Sequence, residues 1–134
     1  MANECIPIYR PGADLTCTAS ANVTGKTFVA QTAALAVGNP VANTDATIMS
    51  AATCGAGLRA LGVAAYDAAS GTRFPVIVGP GHVVPVTAGA AVTFNAEVEV
   101  NASGQAITKA SGVAVGRALS TSTGSGQDLF VKLY

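Results

Sequence analysis

Gly62-Val63-Ala64 leads through Tyr66-Asp67-Ala68-Ala69-Ser70-Gly71 into Arg73-Phe74-Pro75-Val76-Ile77-Val78. Further on, Gly112-Val113-Ala114 leads through Ser120-Thr121-Ser122-Thr123-Gly124-Ser125-Gly126 into Leu129-Phe130-Val131-Lys132-Leu133-Tyr134. Each copy reads as a strand, a Ser/Gly turn and a strand rich in Val, Ile and Phe, which is the signature of a β-hairpin. The two hairpins frame a small all-β domain, with Val63, Val76, Val78, Val113, Val115, Val131 and Leu133 as candidate core residues. Pro75 has no backbone N–H to give to a ladder, so its strand is expected at an edge or a bulge.

Working outward, the runs between the hairpins are also β-like. Val83-Val84-Pro85-Val86 follows the turn Gly79-Pro80-Gly81. Glu97-Val98-Glu99-Val100 alternates strictly, which puts both valines on one face and both carboxylates on the other, read as a solvated face. Asn101-Ala102-Ser103-Gly104 closes a turn. Upstream, Asp14-Leu15-Thr16-Cys17-Thr18-Ala19 and Thr27-Phe28-Val29-Ala30 are short strands around a turn at Gly25. Residues 31–57 have only Leu35, Val37, Val41 and Ile48 as bulky aliphatics and read as a loop-rich insertion or divergent stretch. Residues 1–13 are punctuated by Pro7 and Pro11, which disfavour helix and push their predecessors toward extended geometry. The expected organisation is an extended N-terminal arm over 1–13 and a single β domain over 14–134. Short strands spaced by turn signals predict a small barrel or sandwich.

Composition narrows the function classes. Charged residues are 10% of the 134, and seven basic side chains cancel seven acidic ones, against a typical quarter of charged residues. No basic cluster points to a nucleic-acid partner. So little charge favours association, so a covered surface, and with it a homo-oligomer, is expected. No run approaches the ~20 apolar residues that cross a bilayer, and the N-terminus has no basic region followed by an apolar one. No membrane partner and no secretion are therefore expected. Cys5, Cys17 and Cys54 are odd in number and without a CxxC pair. They read as reduced, buried thiols, with a Cys17–Cys54 disulfide open as the alternative.

Catalytic chemistry finds little to work with. Glu97 and Glu99 have a spacing that two glycosidase carboxyls could share, but there is no Trp for a sugar platform. His82 is the single histidine and no nucleophile motif adjoins it. Gly112-Val113-Ala114-Val115-Gly116 lacks the spacing of a dinucleotide fingerprint. The expectation is no catalytic residue, no cofactor-binding residue and no metal ligand set.

The order of these motifs resembles the capsid cement, or decoration, proteins of tailed bacteriophages. The resemblance runs through Gly62-Val63-Ala64, Val76-Ile77-Val78, His82-Val83-Val84-Pro85-Val86 and Thr87-Ala88-Gly89-Ala90-Ala91-Val92. It continues through Asn101-Ala102-Ser103-Gly104-Gln105, Gly112-Val113-Ala114-Val115-Gly116-Arg117-Ala118 and the closing Leu129-Phe130-Val131-Lys132-Leu133. It implies a non-enzymatic β protein, made in the host cytoplasm, that sits on the outer surface of the expanded head. It implies trimers that lock neighbouring subunits of the major capsid protein. Part of that contact is expected in the arm, at Ile6, Ile8, Tyr9 and Arg10. Two other classes stay open: a subunit of another β-rich assembly such as a tail, pilus or surface layer, and a small ligand-binding β module.

Overall fold

The computed structural model describes residues 14–34 and 48–134. The arm over 1–13, with Ile6, Ile8, Tyr9 and Arg10, lies outside the described residues. Those described contain strands and turns and no helix. Five strands close a barrel: β1 (Asp14–Ala19), β2 (Phe28–Gln31), β3 (Met49–Thr53), β4 (Gly62–Ala64) and β5 (Arg73–Ile77), in the order β1-β3-β2-β4-β5. Five more form a second sheet: β6 (Val83–Thr87), β7 (Glu97–Val100), β8 (Ala106–Thr108), β9 (Gly116–Ala118) and β10 (Asp128–Leu133), in the order β6-β10-β9-β7-β8. The all-β fold read from the sequence is present.

The second sheet repeats the barrel, register for register. Cys17 faces Phe74 and Leu15 faces Val76 across β1 and β5; Val86 faces Leu129 and Val84 faces Val131 across β6 and β10. Phe28–Val63 and Val29–Gly62 recur as Glu97–Arg117 and Val98–Gly116. Val29–Thr53 and Gln31–Ala51 recur as Val98–Thr108 and Val100–Ala106. The isolated bridge Val23–Ala68 recurs as Val92–Ser122, and left-handed Lys26 (φ 60°) recurs as Asn95 (φ 71°). The two halves part at one place. β1 and β3 share a parallel ladder through Ala19–Ala51, whereas its counterpart is the single bridge Ala88–Ala106. The repeat seen in residues 62–134 is thus the last part of a duplication that spans the described chain.

The register also corrects the sequence reading. The strand equivalent to Gly62-Val63-Ala64 is Gly116-Arg117-Ala118, not Gly112-Val113-Ala114. A Cβ on Gly62 would strike the Ile77 carbonyl oxygen, and one on Gly116 would lie 2.5 Å from Val131 Cγ1. Both glycines let a short strand press against its long neighbour. Gly112 instead packs in a loop against Gly57. Val113 is accordingly 39% exposed rather than in the core, and Val78 is only partly buried; Val63, Val76, Val115, Val131 and Leu133 are buried. Nor is β5 an edge, since it pairs with both β1 and β4. Pro75 fits because β4 ends at Ala64, and only its carbonyl is needed there, accepting from Ala65 N–H at 3.1 Å. At the equivalent place Phe130 keeps its N–H and gives it to Ser120 Oγ at 2.9 Å.

Alternation along the strands makes two cores. Cys17, Val29, Ala51, Ala64, Phe74 and Val76 point into the barrel. Phe28, Cys54 and Val63 point out of it and pack against Val84, Val86, Val98, Val100, Leu129 and Val131 of the second sheet. The outer face of the barrel therefore supplies the core for the open sheet, which is why that half needs no closing ladder of its own. Backbone bonds tie the two together: Phe28 N–H to Gly104 O (2.7 Å), Thr87 N–H to Lys26 O (2.8 Å) and Gly57 N–H to Val100 O (2.8 Å). Cys17 and Cys54 belong to different cores and are free thiols, which removes the disulfide alternative.

Candidate functional site

The paired carboxylates do not share a solvated face. Glu97 is exposed, and its Oε1 accepts the Tyr134 hydroxyl at 3.0 Å. Glu99, 8% exposed, turns Oε2 toward two backbone donors, Ala110 N–H at 2.9 Å and Gly112 N–H at 2.6 Å. The segment after β8 folds back over the strand face that alternation left open to water. Glu99 therefore shapes the loop that carries Val113. A buried carboxylate satisfied by amides in this way is a structural clamp.

The remaining chemical candidates are scattered. His82 is exposed, with Nδ1 3.3 Å from Gly79 O. Burial raises the pKa of both the Cys17 and Cys54 thiols, which keeps them protonated and unreactive. Among the described residues no group of three or more His, Cys, Asp or Glu is placed to hold a metal ion.

What the fold does present is surface. A cleft of about 240 Å³ opens between barrel and sheet, with Phe28 and Leu133 at its base and Arg59, Leu61, Val113 and Tyr134 around it. That is below the ~300–1,000 Å³ usual for small-molecule sites. On the outer face of the second sheet stand Val83 (50% exposed), Phe94 (64%), Leu119 (45%) and Phe130 (50%). β10 places Phe130 there by alternation: Leu129, Val131 and Leu133 are buried, and Asp128, Phe130 and Lys132 are exposed. That signal was available in the sequence, where Phe130 falls between two charged residues at period two. Phe94 gave none, because it ends a run with no strand of its own.

No curated protein matches. The N base of the head fiber gp8.5 of bacteriophage phi29, a solved structure, is similar in fold, with a TM-score of 0.71, 18% identity, and coverage of 90% of this chain and 92% of that one. The family model described as phage cement protein matches residues 9–133, nearly the whole sequence, and so the chain belongs to the phage cement protein family.

Proposed function

We propose that this protein binds the outer surface of the assembled, expanded phage head as a homotrimer and locks neighbouring major capsid subunits against pressure from the packaged genome. Its structural, capsid-associated role follows from its family. The observation that carries the finer reading is that match over 9–133, on a domain whose conspicuous surface features are apolar rather than catalytic. The protein acts without catalysis and without a nucleic-acid or membrane partner, and it is made in the host cytoplasm. A binding site built from several capsid subunits exists only on the lattice, so attachment depends on assembly. A trimer that engages three such sites gains by effective concentration, and weak single contacts suffice. The arm supplies part of the contact through Ile6, Ile8, Tyr9 and Arg10, while the β domain acts as the rigid body that carries it.

The test is co-sedimentation of the purified protein with undecorated expanded heads and, separately, its binding to free capsid subunits. Saturable binding to heads and hardly any to free subunits is expected. Equal binding to both, or none to the cognate heads, would refute the reading.

A further inference from the structure

The duplication provides a control for the exposed apolar face. At the positions of Val83, Phe94, Leu119 and Phe130 in the second sheet, the barrel carries Asp14, Gly25, Ala65 and Pro75, as the shared register shows. The same strands pair in the same way without large apolar side chains, so the fold does not require them. They form a face at Phe130 and Leu119, joined by Leu119 N–H to Phe130 O (2.8 Å), with Phe94 beside it through its N–H to Thr121 Oγ1 (3.1 Å). Arg117 stands at the next outward position of β9, and its Nε is buried with no hydrogen-bond partner among the described residues.

We propose that this face binds a second copy of the same chain, head to tail, with Phe94 entering the cleft between barrel and sheet of the next copy. The inference rests on the homo-oligomer proposed above and names its interface. Area argues for a permanent partner. With about 150–250 Å² for each aromatic side chain, the exposed parts of the four residues come to roughly 400 Å². That is about half of the ~800 Å² that each partner gives to a standard interface, and it would form an apolar centre of the kind homo-oligomers have. A closed ring also needs two different complementary patches on each copy. The cleft provides the second one. It lies beside Val115, just before β9, while Phe94 bonds to Thr121, past the other end of that strand. Its apolar floor and its size suit one aromatic ring, and Arg59 at the rim can lie over that ring's face.

Sedimentation equilibrium of the full-length protein, up to its highest soluble concentration, tests this. The wild type should associate toward a trimer. Phe94→Asp and, separately, Val113→Asp should each weaken association about 100-fold or more, the size expected for a central contact residue. Ala65→Asp, at the barrel position equivalent to Leu119, should leave it unchanged. Far-ultraviolet circular dichroism and urea midpoints like those of the wild type establish that each variant is folded. Mixing the Phe94→Asp and Val113→Asp chains should restore association as far as a pair, because one keeps an intact cleft and the other an intact Phe94. A monomeric wild type, variants that associate normally, or a mixture that stays monomeric would overturn the inference. Head binding is read separately by co-sedimentation. Binding by a monomeric wild type refutes this interface and leaves the capsid reading standing; association without head binding does the reverse.

Discussion

Phe28→Ala should be among the most damaging single substitutions in the chain. Phe28 is 1% exposed, yet it points out of the barrel, so the second sheet provides its burial. Truncating a buried Phe to Ala costs about 3–5 kcal/mol through lost transfer energy and the cavity left behind. A domain of this kind is stable by about 5–15 kcal/mol, so roughly a fifth or more of the stability goes with one side chain. At a urea slope of about 2 kcal/mol/M, the midpoint should fall by about 2 M. The chain has no Trp, but Tyr66 reports on the barrel and Tyr134 on the second sheet. Adding Tyr9→Phe to Tyr66→Phe and, separately, to Tyr134→Phe leaves one tyrosine in each chain and separates the two fluorescence signals. Because the core around Phe28 and Val63 joins both halves, the two probes should report one coincident transition in the otherwise native protein. A loss below about 1 kcal/mol, the scale of exposed substitutions, or two well-separated transitions would refute the shared core.

Four further outcomes follow from the geometry. Gly116→Ala should cost about 1–3 kcal/mol by overpacking against Val131, whereas Gly124→Ala, where a Cβ would meet nothing within 4 Å, should be near neutral, both read by urea denaturation. Glu99→Ala should cost about 2–4 kcal/mol because Ala110 and Gly112 N–H lose their acceptor, and hydrogen exchange at those amides should accelerate. Cys17 and Cys54 should resist thiol reagents until the protein unfolds, as peptide mapping after labelling would show; rapid native labelling would contradict their burial. Removing residues 2–11 should leave the circular dichroism spectrum unchanged and weaken attachment to heads; undiminished binding would remove the arm from the contact.

The strands were legible where one face is buried and the other wet. Asp128–Leu133 and the hairpin of β4 and β5 follow period two or end at clear turns, and both stand where the sequence put them. The full duplication was not legible, for two physical reasons. Equivalent positions do different work: Phe28–Val63 is buried because the sheet covers it, while its counterpart Glu97–Arg117 lies on the open side. The link from β2 to β3 also spans residues 32–48, whereas that from β7 to β8 spans 101–105, so no constant spacing betrays the repeat. Gly112-Val113-Ala114 copies the letters of Gly62-Val63-Ala64 without its role, because what selects the strand glycine is close approach to the neighbouring strand. Glu99 was misplaced since alternation assigns a face but cannot say what covers it; here the loop after the next strand does so, through Ala110 and Gly112.

The central claim is that this protein stabilises the assembled head, and heat-induced DNA release measures it directly. Expanded heads lacking the protein are heated with and without a saturating amount of it, and DNA release is followed by dye binding. A ligand that binds only the assembled state stabilises it by mass action, so release should move to higher temperature, and the shift should grow with protein concentration until sites are full. An unchanged release temperature on heads shown to be saturated with the protein would contradict the account.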